Sequence, residues 1–512
     1  MSDEMSALMT AQQHTLQSLI DMRAEETPAQ PFFLSLESGL CITYAQLRES
    51  LCGCGEALAT VPRGETVGIL AGNGWAVAQF LLAAPYHGRR AMLINLAAGR
   101  NNIIYTLTHS GCKLIFADAD NIDALCDMVV AAGVEIMIVP VDRDRGIENN
   151  QPATLPPLVS REDDALLIYT SGTTGKPKGV LHTHGSLLAG GANTALAHRL
   201  TAADRALCVL PLCHINAQCV TVMAPLVSGG SVVVPHRFSV SRFWQWLEKM
   251  ECTWFSVVPT IVSHLLHNVA PAISLPKLRF GRSASSALAP ETHRQFEKRF
   301  GVNLYETMGL SETAAQILSN PMPPQQIKYG SPGIAFGNEV TVLDAKGQET
   351  PRNAEGEIAV RGDNVMRGYL NAPADTAAAF TADGWFCTGD LGRMDEDGFV
   401  FITGRRKELI IKGGENIAPR EIDDALYQSA GVVEAAAFGC ACKVYGQRVE
   451  AAVVLSSPQI HSEQELIDSC VHQVGAFKAP ERVHFMESLP KGPSGKVQRL
   501  RLVDIIEEQL KK

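Results

Sequence analysis

The sequence predicts an α/β protein. It has a large N-terminal domain of mainly parallel sheets with helices plus a β subdomain, and a small α+β C-terminal domain. Three observations predict this organisation. Short apolar runs typical of buried strands alternate with helical patterns in the first half of the chain. Turn dipeptides are frequent beyond residue 328, where antiparallel strands are expected. The last stretch, about 100 residues long, has its own helix and strand pattern.

Alternation is clearest in the N-terminal part. Apolar runs at 66–70, 91–96 and 113–118 read as strands, and 75–88 reads as a helix that stops at a glycine. A polar, proline-containing segment at 142–164 is expected to be a surface connection. Further strands are predicted at 165–170, 205–211, 230–235 and 253–260, with an amphipathic helix over 241–250.

The second half of the chain contains two smaller units. EVTVLD, GEIAVRG and FVFITG lie between turn-rich segments and predict the antiparallel β subdomain. We place the domain boundary near Gly404, which gives an N-terminal domain at 1–403 and a C-terminal domain at 404–512. In the latter, helices are predicted at 419–429 and 463–474, and strands at 435–439, 449–455 and 483–490.

Composition narrows the functional classes. The 44 Lys and Arg against 54 Asp and Glu give a net charge of −10, and no basic block is present, which is atypical of nucleic-acid binding. Thirteen cysteines show no disulfide framework, so reduced thiols and a cytoplasmic location are expected. The most apolar stretch, 129–141, is too short to span a bilayer, and the N-terminus lacks a signal-peptide pattern. The oligomeric state stays open.

One loop carries most of the functional information. YTSGTTGKPKGV, at 169–180, is the end of a strand followed by three glycines, several hydroxyl residues and two lysines. Glycines let backbone N–H groups converge on an anion, and hydroxyls and lysines add donors and charge. Pro177 stands where a Walker A loop requires Ser or Thr, so this is a different kind of loop. Its composition predicts a phosphate cradle.

The same loop resembles the phosphate-binding signature of the adenylate-forming superfamily, which includes the acyl-CoA synthetases. Further segments resemble that family's motifs in the family's order: PLCHINAQ (211–218), ETMGLSET (306–313), CTGD (387–390), GRRKELIIKGGENIAP (404–419) and LPKGPSGKVQR (489–499). The resemblance implies ATP, Mg²⁺ and coenzyme A as co-substrates and cofactors. It also implies a carboxylic acid that is activated as an acyl-adenylate, and a mobile C-terminal domain.

The resemblance also implies roles for individual residues. Lys496 matches the catalytic lysine that reaches the α-phosphate, and Glu312 matches the glutamate that holds Mg²⁺. Asp390 and Arg405 match the ribose contacts, while Met308 stands where many members have a stacking tyrosine. The remaining nucleotide-binding candidates are Thr170, Ser171, Gly172, Thr173, Thr174, Lys178, Gly309 and Ser311.

Two further groups of residues are implied for the acid and for coenzyme A. Lys407 matches the hinge about which the C-terminal domain rotates, and Gly413 and Gly414 match a loop that lines the pantetheine tunnel after rotation. The candidates for the acyl pocket are His214, Asn216, Ser283, Ser285 and Ser286.

The identity of the acid is the open question. Segments such as AAQILSNPMPP resemble the oxalate–CoA ligase branch, and the serines predict a short polar pocket suited to oxalate or sulfoacetate. His214, Arg282 or Asn216 could pair with a second anionic group. A short or medium-chain fatty acid is the alternative substrate. Loading of a carrier protein is an alternative reaction, and a nucleotide-binding protein without catalysis is disfavoured by the three retained residues Glu312, Asp390 and Lys496.

Overall fold

The structure is a computed structural model that describes residues 8, 10–11, 13–147, 156–170, 176–269, 274–457, 460–492 and 496–510. The predicted fold class is confirmed: two large, mainly parallel sheets with helices are followed by a small antiparallel sheet and a C-terminal α+β unit. In the described part of the chain, no helix combines the length and the apolar character needed to cross a membrane.

The strands up to residue 335 build the two large sheets. They are β1 (Pro31–Ser35), β2 (Cys41–Thr43), β3 (Thr66–Leu70), β4 (Arg90–Leu93), β5 (Leu114–Ala117), β6 (Met137–Pro140), β7 (Asp164–Thr170), β8 (Lys178–Thr183), β9 (Arg205–Cys208), β10 (Ser231–Val234), β11 (Trp254–Val257), β12 (Phe280–Ser283), β13 (Leu304–Leu310), β14 (Ala315–Ser319) and β15 (Ile334–Ala335).

The strands beyond residue 335 build the two smaller sheets, except that β18 joins a large one. They are β16 (Glu339–Leu343), β17 (Gly356–Arg361), β18 (Gly368–Tyr369), β19 (Phe386–Met394), β20 (Val400–Arg405), β21 (Ile410–Lys412), β22 (Glu415–Ile417), β23 (Val432–Cys442), β24 (Gly446–Leu455) and β25 (Arg482–Phe485).

Helices cover the sheets and connect their strands. They are Leu16–Glu26, Tyr44–Gly53, Gly55–Leu58, Trp75–Tyr86, Arg100–Ser110, Ile122–Ala132, His184–His198, Ala224–Ser228, Phe243–Lys249, Pro259–His267, Pro290–Phe300, Pro373–Ala378, Pro419–Tyr427, Glu463–Val474 and Arg499–Leu510, with 3₁₀ turns at Leu96–Ala98 and Ser311–Thr313 and a π-helix at Asn216–Met223.

The nine-stranded sheet runs in the order β15-β14-β13-β12-β11-β9-β10-β1-β2. Its six central strands, from β13 to β1, pair in parallel, and the strands at both edges pair antiparallel. Parallel strands buried on both faces are mostly apolar, which explains why several of their sequences read as continuous apolar runs. The carboxyl ends of these central strands lie along one edge of the sheet, where ligands of open α/β sheets bind.

The seven-stranded sheet runs in the order β18-β8-β7-β4-β3-β5-β6 and packs against the first sheet through shared helices. Helix His184–His198 contacts β7 and β8 of this sheet and β14 of the other, and every residue of the helix except Leu196 is buried. A Cβ on Gly190 would lie 2.3 Å from the carbonyl oxygen of Ala314. Glycine therefore lets this helix approach the turn that follows Glu312.

The β subdomain and the C-terminal unit have separate sheets. Strands β16, β17, β19 and β20 form an antiparallel sheet, and the C-terminal sheet runs β22-β21-β24-β23 with β25 parallel to β24. The C-terminal sheet and its helices have their own buried cores, made only of residues from Ile410 onward. The domain boundary near Gly404 stays a prediction, which these separate cores support.

The structure extends the predicted elements in two places. The motif CTGD lies within β19, and β23 and β24 form a longer hairpin than their apolar runs indicated. A helix at Arg499–Leu510 was not predicted. Among its residues whose burial is described, Leu502 and Ile506 are buried, and the segment mixes apolar with charged residues without a continuous apolar run.

Candidate active site

Most of the described candidate residues line one cavity of about 1450 Å³. The cavity lies at the carboxyl edge of the large sheets, and the C-terminal unit closes one side of it. A smaller cavity of about 510 Å³ shares Ser285, Met308, Gly309, Arg405 and Lys496 with it and adds Ser286 and Asp390. The candidates that line the larger cavity are Thr170, Lys178, His214, Asn216, Ser285, Gly309, Ser311, Glu312, Arg405, Lys407 and Lys496.

The phosphate loop is anchored by an antiparallel strand pair. Thr170 at the end of β7 is the register partner of Lys178 at the start of β8. The Lys178 ammonium lies 3.1 Å from an Asp375 carboxylate oxygen and 4.8 Å from the centre of the Tyr369 ring. The loop residues between them that were predicted to bind phosphate, Ser171, Gly172, Thr173 and Thr174, lie outside the described residues.

The turn that carries Glu312 is held in an unusual backbone conformation. It joins β13 to β14, and a Cβ on Gly309 would lie 1.8 Å from the carbonyl oxygen of Ala315, so only glycine fits there. Ala314 and Ala315 have φ of 45° and 75°, values that non-glycine residues rarely adopt. Strained backbone of this kind clusters at functional sites. The turn therefore fixes the Glu312 carboxylate in place.

Two side chains from the seven-stranded sheet hold the same turn. The buried His182 ring lies with Nε2 2.6 Å from the carbonyl oxygen of Ser311, and burial lowers the pKa of His182 to about 4. The ring is therefore neutral at pH 7, and Nε2 carries the proton that it donates to this carbonyl. The Tyr369 hydroxyl donates to Glu312 Oε1 at 3.2 Å. Strands β8 and β18 thus position the glutamate.

The Glu312 carboxylate is suited to a hard cation. Burial raises the pKa of Glu312, and the charges of Lys496 and Arg405 oppose that rise. A neighbouring positive charge would stabilise its ionised form further. In the described residues, no group of three or more His, Cys, Asp or Glu side chains is placed to hold a metal ion. A magnesium ion here would therefore rely on Glu312 together with oxygens of the substrate phosphates, a ligand set that Mg²⁺ accepts.

Asp390 and Arg405 form a pair across neighbouring strands. They are register partners on β19 and β20, and Arg405 Nε donates to Asp390 Oδ1 at 2.7 Å. The Asp390 carboxylate raises the pKa of Arg405, so the guanidinium stays charged. Gly389, with φ of 76°, turns the backbone just before the aspartate. The pair presents a carboxylate acceptor and a cation to the cavities, as binding of a ribose diol requires.

Lys496 comes from the C-terminal unit and lies in the same cavity as Glu312. Its hairpin is closed by a bridge between Lys491 and Val497 and by the Gly492 N–H, which donates to the Lys496 carbonyl at 2.7 Å. Burial and the nearby Arg405 charge lower the pKa of Lys496 to about 8, against the attraction of Asp390, Glu312 and Glu408. Its ammonium is therefore close to half-neutral at mildly alkaline pH.

Adenylate formation is expected to fall as the pH rises through about 8, because the charged form of Lys496 predominates only below its pKa. Bound triphosphate would raise that pKa, so the alkaline limb of kcat should lie above that of kcat/KM for ATP. Pyrophosphate exchange measured from pH 6 to pH 10 checks this. The variant Lys496→Arg keeps its charge over this range and should lose the limb; an unchanged limb would contradict the assignment.

The acyl-pocket candidates separate into two groups. Asn216, at the start of the π-helix, and His214 line the larger cavity, and Asn216 Nδ2 donates to Ser285 Oγ at 3.4 Å. Ser286 lines only the smaller cavity. Ser283 is fully buried within β12, its hydroxyl has no partner among the described residues, and it lines neither cavity. The structure therefore does not bring Ser283 to the site, because successive strand residues face opposite sides of the sheet.

The hinge candidate and the tunnel candidates lie at different places relative to the cavities. Lys407 is exposed in the turn after β20 and borders the larger cavity. Gly413 and Gly414, with φ of 60° and 86°, form the exposed tip of the β21–β22 hairpin and line neither cavity. In this arrangement Lys496, and not the glycine tip, lines the larger cavity.

Comparison with known proteins assigns the family. The protein-family model described as "AMP-binding enzyme" matches residues 20–370 of this chain. The family model described as "AMP-binding enzyme C-terminal domain" matches residues 421–496. The chain belongs to the AMP-binding enzyme family. The predicted resemblance to the adenylate-forming superfamily is therefore confirmed.

Relatives of this AMP-binding enzyme match nearly its whole length. The sulfoacetate–CoA ligase of Cupriavidus necator is 45% identical over 500 residues, which cover 96% of this chain and 97% of the relative. The oxalate–CoA ligase of Arabidopsis thaliana is 33% identical, with 95% and 97% coverage. Among solved structures, ATP-bound MatB from Rhodopseudomonas palustris superposes with a TM-score of 0.87 at 27% identity, with 97% and 100% coverage.

Sequence reasoning missed three side chains that contact candidate site residues. His182, Tyr369 and Asp375 contact Ser311, Glu312 and Lys178, respectively. None stands inside a recognised motif, and Tyr369 is 57 residues from Glu312 in the chain. Their roles depend on the pairing of β18 with β8, a non-local contact that carries no local sequence signal.

Asp390→Ala should raise the KM for ATP about tenfold or more with a smaller change in kcat, because loss of a charge-assisted hydrogen-bond acceptor weakens binding of the ribose in ground and transition states alike. Steady-state kinetics at varied ATP concentration measures this. Asp397→Ala, which removes an exposed aspartate bound to Lys328 on the same subdomain, is the matched control and should leave the KM near that of the parent. An unchanged KM for Asp390→Ala would remove this residue from the ribose site.

Proposed function

We propose that this AMP-binding enzyme is an ATP-dependent carboxylate–CoA ligase that acts on a short polar or dianionic acid, with oxalate and sulfoacetate as the first candidates. The single observation that carries the proposal is the convergence of Lys496, Glu312 and the Asp390–Arg405 pair on adjoining cavities. A pure nucleotide binder has no need of all of these groups. The names of the two long relatives, a sulfoacetate–CoA ligase and an oxalate–CoA ligase, support the acid class.

The first half-reaction needs neutralisation of phosphate charge. A carboxylate oxygen of the acid attacks the α-phosphorus of ATP, the bond from that phosphorus to the bridging oxygen breaks, and pyrophosphate leaves. Two anions must approach, so cations in the cavity lower the barrier. Lys178 and Lys496 would face the phosphates and the acid, and Glu312 would hold Mg²⁺, which supplies Lewis-acid neutralisation of phosphate oxygens when bound. Asp390 and Arg405 would hold the ribose.

The second half-reaction transfers the acyl group to sulfur. The thiolate of coenzyme A attacks the acyl carbon, the bond from that carbon to the phosphate oxygen breaks, and AMP leaves with the electron pair. In the family, the C-terminal domain rotates between the two steps. We assign residues 404–512 to that domain, Lys407 to its hinge, and Gly413 and Gly414 to the later tunnel. The exposed hairpin tip and the separate C-terminal cores support this assignment.

A cytoplasmic location is part of the same proposal. All thirteen cysteines fall within the described residues, and all have free thiols. Free thiols in such number suit a reducing compartment, where disulfides rarely persist. Coenzyme A and ATP, the two co-substrates, are also present in that compartment. Localisation of the tagged chain by fractionation tests this, and recovery in an oxidising compartment would contradict it.

The proposed function is tested with a panel of acids. Purified enzyme, ATP and Mg²⁺ are incubated with coenzyme A and one acid at a time, and both AMP and pyrophosphate are measured. Oxalate and sulfoacetate are expected to give equal amounts of the two products, and butyrate and octanoate little of either. When coenzyme A is omitted, each enzyme molecule should release a single pyrophosphate. Absence of AMP with every acid would overturn the proposal, and turnover only with a carrier protein would redirect it.

A further inference from the structure

A buried arginine beneath the cavity is not used by the steps above. Arg282 lies on β12, between β11 and β13 in the nine-stranded sheet, and only 1% of its surface is exposed. It is one of the largest fully buried side chains of the protein, and it lines the larger cavity together with Glu312 and Lys496. A fully buried guanidinium in the lining of this cavity requires an explanation.

Its hydrogen bonds all go to neutral groups. Arg282 Nη1 donates to Asn216 Oδ1 at 2.9 Å and to Ser256 Oγ at 3.0 Å. Its Nη2 donates to Thr307 Oγ1 at 2.7 Å and to Gln316 Oε1 at 3.0 Å. The fifth donor of the guanidinium, Nε–H, is buried without a partner among the described residues.

The positive charge of Arg282 is therefore not compensated within the described part of the protein, where it has no ion pair with a carboxylate. Its near neighbour on the chain, Arg279, shows the contrast, because its Nη1 lies 2.5 Å from Asp204 Oδ1. Burial lowers the pKa of Arg282 to about 9, so the group still carries its charge at pH 7. A buried charge without a partner is costly, and a bound anion would relieve that cost.

We infer that Arg282 is the counter-ion for a second anionic group on the acid substrate, a carboxylate or a sulfonate. This inference rests on the proposed function. The sequence left His214, Arg282 and Asn216 as candidates for that role, and the contacts of Arg282 and Asn216 distinguish those two residues. Asn216 turns its carbonyl oxygen to Arg282 and its amide to Ser285, so it positions the guanidinium and offers a neutral donor. Of these two residues, Arg282 carries the charge, and it lines the larger cavity.

The same geometry disfavours fatty acids. An alkyl chain placed beside Arg282 would displace water and leave the guanidinium without any anion or solvent. A site built around a buried polar group rejects ligands that cannot pair with it far more strongly than an apolar pocket rejects a ligand of the wrong size. The substrate class is therefore a short acid with two anionic groups.

The test compares acids of similar size and different charge in matched variants. Arg282→Met keeps the length and removes the charge. We expect kcat/KM for sulfoacetate and for oxalate to fall about 100-fold or more, while kcat/KM for propionate stays equal or rises. Arg282→Lys should recover part of the activity with the dianions. Arg279→Met removes the arginine that directly precedes β12 and pairs with Asp204, and it should leave the ratio of dianion to monoanion activity unchanged.

An equal loss with propionate and with sulfoacetate would overturn the inference, because a purely structural role of Arg282 predicts it. If the variants do not fold, an inhibition assay with the wild-type enzyme tests the inference instead. Methanedisulfonate, which has two anionic groups, should compete with the acid substrate, and methanesulfonate should not. Equal inhibition by both would overturn the inference. Separate oxalate and sulfoacetate assays distinguish the carboxylate from the sulfonate. AMP formation with monoanions only would refute the role of Arg282 and leave the proposed ligase standing, whereas no AMP with any acid refutes the ligase.

Discussion

Lys496→Ala is expected to reduce acyl-adenylate formation about a thousandfold and to leave thioester formation from supplied acyl-adenylate nearly unchanged. One unit charge about 4 Å from a phosphate oxygen, at an effective dielectric of about 20, contributes about 4 kcal/mol, which corresponds to about three orders of magnitude in rate. Lys496 is placed to supply that charge, because it lines the same cavity as Glu312 and interacts electrostatically with Asp390 and Arg405.

The two half-reactions separate this role from a structural one. Pyrophosphate exchange reports adenylate formation, and thioester formation from synthetic acyl-adenylate and coenzyme A reports the second step. Lys478→Ala removes an exposed lysine of the same C-terminal unit that pairs with Glu421, and it should change neither rate. Equal loss of both half-reactions in Lys496→Ala would show that the lysine supports the fold and not the attack on phosphorus.

Glu312→Gln should lower adenylate formation about 100-fold or more at 1 mM magnesium, a conventional assay concentration, and shift the magnesium requirement upward. Glutamine has the same shape and still accepts a hydrogen bond from Tyr369, so the change isolates the negative charge. A neutral amide oxygen binds Mg²⁺ less tightly than a carboxylate does. Pyrophosphate exchange over a magnesium titration gives both quantities, and Tyr369→Phe, which removes only the hydrogen bond, should have a smaller effect.

In Glu312→Gln, the stability of the fold should change in the opposite direction to the activity. Burial raises the pKa of Glu312, so the folded state binds the proton more tightly than the unfolded state does. Above the folded pKa, ionised Glu312 therefore lowers the free energy of unfolding. Glu312→Gln should unfold at an equal or higher temperature than the parent at pH 7. Lower activity with a lower melting temperature would indicate that misfolding, and not loss of a metal ligand, explains the defect.

The motifs predicted residues that the structure brings to adjoining cavities. Phosphates, ribose and a metal ion demand particular atoms, and the residues that supply them stand at fixed spacing in short segments such as those around Glu312, Asp390 and Lys496. Local patterns sufficed for the fold class as well, because parallel strands buried on both faces give continuous apolar runs. The terminal helix at Arg499–Leu510, with few buried residues, gave no such signal.

The sequence by itself determined the fold class and the motifs that predict a nucleotide site, because strand burial and phosphate chemistry leave local patterns. Only the tertiary structure decided which polar residues line the cavities. Ser283 and Arg282 are adjacent in one strand, yet the serine is buried outside the cavities and the arginine lines one. Arg282 has no carboxylate partner in the described residues, because the neighbouring strands and the π-helix place neutral side chains against its guanidinium. Compensation of a buried charge is a property of packing between distant segments, and no local pattern records it.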